Sequence, residues 1–207
     1  MKGLLLKDWY CIKNYFRAFL IFDIIFLLVS CFSEGMSFYL FYPCVFSSLI
    51  SMSLLSYEEQ EKWNVYVQTL PYSKAQLVST KYIISLLIGL STVFVCTFVQ
   101  LLMSIYRQTF DISTMINLIT TLVSCSTIPA AVLLPFIYKF GVTKGRIAYY
   151  IIIALLCAIL GVVGKIDQWS AALIPVSNID TVLFVLSVIV FPLSWLLSVK
   201  FYQKRDI

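Results

Sequence analysis

The sequence predicts an all-α membrane protein with six transmembrane helices and both termini in the cytoplasm. Three observations carry that prediction. First, the 207 residues are 61% hydrophobic and only 12% charged, about half the charge of a soluble domain, and the mean hydropathy is +0.94. Second, six apolar runs are long enough for a bilayer core of about 30 Å, which takes roughly 20 helical residues at 1.5 Å each. They lie at about 15–33, 37–57, 82–104, 113–138, 147–164 and 179–199. Third, the basic residues alternate between runs. Barrel strands would alternate in polarity, which these runs do not.

Orientation follows from that third pattern. One side collects Lys2, Lys7, Lys13 and Arg17, then Lys62, Lys74 and Lys81, then Lys139, Lys144 and Arg146, then Lys200, Lys204 and Arg205. The other side holds only Arg107 and Lys165. The basic excess therefore marks the cytoplasmic face and its anionic headgroups, and gives no sign of nucleic acid. Leu28-Val29-Ser30-Cys31 imitates a lipoprotein cleavage signal. Asp8 in the basic region and Asp23 in the apolar one argue against that reading, so the first span is retained.

Residues 1–14 form a separate expectation. Leu5, Trp9, Ile12 and Phe16 share one helical face, with Lys7 and Asn14 opposite, as in an amphipathic helix lying in the inner headgroup region. A tight outer turn follows span 1 at Ser33-Glu34-Gly35. The longest polar segment, 57–81, is cytoplasmic and joins spans 2 and 3. Pro71 breaks the chain there, and Ser73 with Gln76 makes an S-x-x-Q capping box, which starts a short surface helix at about Lys74. Span 3 connects to span 4 through about Ile105–Ile112. Span 4 ends on Lys139, Phe140 and Gly141, a basic last turn and a glycine stop, and Val142–Arg146 is a short inner loop. The outer stretch 165–177, with Trp169 and Pro175, is apolar enough to dip into the outer leaflet. Ser177-Asn178-Ile179-Asp180 opens span 6 with a cap and an acid.

Several chemistries are missing. Histidine is absent, which removes His-ligated zinc and Ser-His-Asp catalysis. Glu58-Glu59 echoes the paired glutamates of intramembrane CAAX-type proteases, but Trp63 stands where that motif wants arginine. Gly141-Val142-Thr143-Lys144-Gly145 is too short for a phosphate loop. Cys11, Cys31, Cys44, Cys96, Cys125 and Cys157 contain no CxxC pair, so they read as small polarizable core residues with no metal site. Within the spans, Asp23 is either a pathway carboxylate or a structurally paired one. Asn117, Thr120, Thr121, Ser124 and Thr127 line one face of span 4 ahead of Pro129 and Pro135. That stripe either lines a cavity or joins helices. Ser47 and Ser51, four apart in span 2, allow close helix approach.

The segment 56–81, running from Ser56-Tyr57-Glu58-Glu59-Gln60-Glu61-Lys62-Trp63 through Thr69-Leu70-Pro71-Tyr72-Ser73-Lys74, resembles the connection between spans 2 and 3 in permeases of ABC-2 type transporters. The opening Met1-Lys2-Gly3-Leu4-Leu5-Leu6-Lys7-Asp8-Trp9, the six-span plan and the basic tail share the likeness. The small size without an outer domain is similar to permeases exporting phenol-soluble modulins, amphipathic toxin peptides of Gram-positive bacteria. Lantibiotic and bacitracin immunity permeases share the same plan. The resemblance implies a multi-pass protein of the bacterial cell membrane, working with a second permease copy or a sister permease. It also implies an ATPase partner that holds the ATP and Mg, with no cofactor on this chain. The family's coupling helix maps to about Pro71–Leu77. Glu58, Glu59, Glu61, Trp63, Tyr66, Pro71, Tyr72, Ser73, Lys74, Gln76 and Leu77 are then the ATPase-coupling residues. Asp23, Asn117, Thr120 and Ser124 are the pathway candidates for a peptide or other hydrophobic substrate. The alternative is a non-transporting sensor, immunity or assembly protein that binds a peptide or lipid.

Overall fold

A computed structural model describes residues 2–32, 36–61, 63–67, 69, 72–108, 110–147, 150–151 and 179–204, and every regular element among them is helical. In chain order these are α1 (Lys2–Phe32), α2 (Met36–Gln60), α3 (Trp63–Val67), α4 (Lys74–Tyr106) and α5 (Ile112–Phe140). Next comes α6, which opens at 142 and is helical over 142–147, and then α7 (Ile179–Lys204). Four stretches are long and apolar enough to cross a membrane: Tyr39–Gln60, Lys74–Tyr106, Ile112–Phe140 and Thr181–Lys204. They answer to expected spans 2, 3, 4 and 6. In the region of the expected first span, α1 holds a shorter apolar stretch, Phe19–Ser30, which is not among those four. The turn at 33–35, nearly all of the expected fifth span, the outer stretch 165–177 and the Ser177-Asn178 cap lie outside the described residues.

Three boundaries differ from the sequence expectation. No break separates an interfacial helix over 1–14 from span 1, because α1 is one helix of 31 residues. It contains no proline, its only glycine is Gly3, and so nothing interrupts the backbone ladder. The expected apolar face of this segment is also divided: Ile12 is buried while Trp9 is exposed. Likewise the short surface helix from Lys74 is not separate. The Ser73–Gln76 capping box forms in both directions, and the helix it starts continues to Tyr106. Its 33 residues measure about 50 Å, more than a bilayer core, so the capped end extends beyond the apolar layer. Finally, the expected inner loop Val142–Arg146 is helical. Helix α5 stops where predicted, at Gly141 with φ 86°, but Glu59 accepts a hydrogen bond from the Val142 N–H at 3.0 Å and starts a new helix at once.

Helix α2 stands centrally, against α1, α4 and α5, while α7 packs on α5 and α4. Small residues set the close approach in the middle. A Cβ on Gly89 of α4 would stand 3.3 Å from Ser126 Oγ of α5 and 3.9 Å from Ser47 Oγ of α2. The buried Ser47 thus stands where the helices approach closely, as a small residue allows. The stripe on α5 satisfies its own helix. Thr120 and Thr121 donate to the Asn117 carbonyl at 2.8 and 2.7 Å, and Ser124 to that of Thr120 at 2.8 Å.

Pro135 has a different solution. Lacking an N–H, it leaves the carbonyl four residues back, that of Ala131, without its helical donor. Ser194 of α7 fills the vacancy, donating from Oγ to the Ala131 oxygen at 2.5 Å. Tyr82 of α4 lies 2.7 Å from both Ser194 Oγ and Ser198 Oγ. Since the single Ser194 proton goes to Ala131, Tyr82 donates to Ser194, and Ser198 donates to Tyr82. One hydroxyl chain therefore ties three helices together beside a proline.

Candidate functional site

The most unusual chemistry sits where α1, the end of α2 and the start of α4 converge. Asp8, Glu58 and Lys81 are 1%, 8% and 4% exposed. Lys81 Nζ lies 2.7 Å from Asp8 Oδ2 and 2.7 Å from Glu58 Oε1. Lys7 completes the group from the edge. It hydrogen-bonds to Glu58 Oε1 and stands 3.2 Å from Asp8 Oδ1, an ion-pair contact that falls outside hydrogen-bond geometry. Burial works against the Lys7 charge, yet Glu58 first and Asp8 second hold its ammonium above the ordinary lysine value. Two acids and two bases are neutral together, which is what permits their removal from water.

The sequence positions each of them. Asp8 lies one turn after Leu4 and one before Ile12, on the stripe that both bury, so the fold carries it inward. Lys81 lies one residue before the buried Tyr82 and three after the buried Val78. Glu58 ends the apolar face of α2, one turn beyond Leu54. Lys7 also reaches over the Trp63 ring, 4.0 Å from its centroid, and Trp63 leans on Tyr66 with centroids 5.3 Å apart. The short α3 is thereby attached to the charged group.

The candidate coupling residues divide. Glu58 belongs to the buried group. Glu59, exposed, starts α6. Glu61 is exposed on the surface beside Trp63. Tyr66 is 59% exposed. Pro71 lies outside the described residues. Tyr72 is half-buried, its hydroxyl 3.7 Å from the place a Cβ on Gly3 would take, and Leu77 packs against the apolar core near Tyr82 and Tyr138. Those two therefore hold the chain's own fold. Ser73 and Gln76 form the cap, and Lys74 reaches the Gln203 carbonyl of α7 at 3.4 Å.

The pathway candidates lie on two helices, Asp23 on α1 and the other three on α5. Asp23 is half-buried on α1, without a hydrogen bond or ion pair among the described residues. Asn117 is exposed, Thr120 half-buried and Ser124 buried. Sequence reasoning missed Asp8, Lys7 and Lys81 as a site. The available signal was an acid on an otherwise apolar stripe, which demands a buried partner.

Comparison with known proteins gives one match. The family model described as ABC-2 family transporter protein matches residues 3–203. No curated protein matches the chain, and no solved structure matches it.

Proposed function

The chain belongs to the ABC-2 transporter family, and from that membership we propose that it is the permease subunit of an ATP-binding-cassette exporter. Without a phosphate loop it uses ATP only through a separate ATPase subunit, which docks on the cytoplasmic segment 57–81. The observation that carries this reading is the construction of that segment. A fully formed capping box at Ser73 and Gln76 heads a helix that runs on without a break as an apolar span. A push on its capped end is therefore delivered to the membrane as rigid-body motion. The buried Lys81, seven residues along, passes it to α1 through Asp8 and to α2 through Glu58.

The finer reading is a six-span protein of the bacterial cell membrane with both ends inside. Two copies, or one copy and a sister permease, enclose the path, and the substrate is an amphipathic or hydrophobic peptide. The likeness of layout to phenol-soluble-modulin exporters supports that substrate class. The test is purification of the tagged chain from its own membranes, in mild detergent, followed by reconstitution. A bound subunit with a phosphate loop, and ATP hydrolysis that rises on adding amphipathic peptide, is the expected result. A permease that purifies without any such subunit contradicts it.

A further inference from the structure

Resting on the permease reading, we propose that the hollow between α1, the end of α2 and α3 receives a cationic side chain, arginine or lysine, carried by the ATPase partner. The hollow measures about 640 Å³; Tyr57, Trp63 and Tyr66 supply its rings, and Glu58 and Glu61 its carboxylates. Ring faces carry negative potential and attract cations within about 6 Å. A guanidinium can stack on such a face while forking to a carboxylate. The chain displays this preference itself, since Lys7 already stands over the Trp63 ring.

Charge decides what else enters. Among the described residues, the neutral group of Asp8, Glu58, Lys7 and Lys81 is joined at the hollow by one further acid, Glu61, so this set carries one negative charge in excess. Glu58 is already shared between Lys7 and Lys81. Glu61 is exposed, and its carboxylate has no partner among the described residues. It is the acid left for an incoming base. A cation held between Glu61 and Tyr66 touches the ring that carries Lys7. From there Glu58 and Lys81 lead to α4, so docking at this hollow bears on the same helix as the capped end.

Cys11, an unbridged half-buried thiol, lines the hollow and serves as the probe. Two methanethiosulfonates of similar size, one carrying trimethylammonium and one sulfonate, are reacted with the purified permease, and modification at Cys11 is followed by peptide mass mapping. The cationic-to-anionic rate ratio, divided by the same ratio for free cysteine, is expected to be roughly tenfold or more. Glu61→Gln should lower it and Tyr66→Ala should lower it further, at unchanged melting temperature. A normalised ratio near one in the unaltered protein overturns the proposal. In the complex with its co-purified ATPase, Cys11 should be protected roughly tenfold, and Glu61→Gln should weaken that protection more at low salt than at high salt. An intact complex that leaves Cys11 as reactive as in the free permease overturns the docking site and leaves the permease reading standing. Protection by phosphatidylcholine vesicles without the ATPase assigns the hollow to a lipid headgroup and also overturns it. Failure of any ATPase to bind removes both.

Discussion

Lys81 of α4 and Asp8 of α1, 73 residues apart in sequence, meet at 2.7 Å inside the protein. Their contact fastens the N-terminal helix to the helix that begins within the segment 57–81. Glu58 shares the same ammonium, so three helices depend on one lysine.

Removing that lysine alone should be severe. Lys81→Met leaves two buried carboxylates with only the edge residue Lys7, and a loss of about 3–5 kcal/mol is expected from an uncompensated buried charge. Adding Asp8→Asn and Glu58→Gln to the same chain should recover much of the loss. Thermal and denaturant unfolding in lipid nanodiscs measures both. Equal stability of the single and triple variants would show that charge balance is not what holds this junction.

The proline on α5 makes a second prediction. Ser194→Ala strips the donor from the Ala131 carbonyl and leaves Tyr82 without its acceptor, a loss of about 1–3 kcal/mol for buried groups left unpaired. In a Pro135→Ala chain a backbone N–H is restored at position 135. Ser194→Ala should then cost clearly less. A double-mutant cycle with no interaction between the two sites would refute the assignment of Ser194 to the vacancy left by Pro135.

Between α4 and α5, Asp111 accepts hydrogen bonds from Ser113 and Thr114 and caps α5. Those bonds hold its carboxyl down at about 2, below its ordinary 3.8. A depressed value means that the stabilising contribution is complete above 3.8 and disappears as pH falls through about 2. Melting temperature should therefore drop more between pH 4 and pH 2 in the unaltered protein than in Asp111→Asn. Identical acid profiles would rule out the cap as a contributor.

The all-helical class and four of the long apolar helices were legible because apolar length acts over whole helices. The start of α4 at Lys74 and the stop of α5 at Gly141 were legible for a local reason, since a capping box and a glycine at positive φ act within a single turn. What escaped was set by distant partners. Nothing near residues 1–14 reveals that Lys81 will draw Asp8 inward, which splits the apolar face that Trp9 and Ile12 share on a wheel. Nothing near Val142 reveals that Glu59, 83 residues earlier, will start a helix in place of a loop. The packing of Tyr72 and Leu77 was hidden for the same reason, since their neighbours, Gly3 and the core around Tyr138, belong to other helices.

The proposed ATPase takes hold on the segment 57–81. Photo-crosslinking tests this, with p-benzoylphenylalanine placed at Tyr66, exposed beside the hollow, and at Tyr106, 84% exposed at the opposite end of α4. Irradiated cells should yield a covalent adduct from position 66 to a subunit whose peptides include a phosphate loop, and none from position 106. No such adduct from position 66, or equal adducts from both positions, would contradict the account.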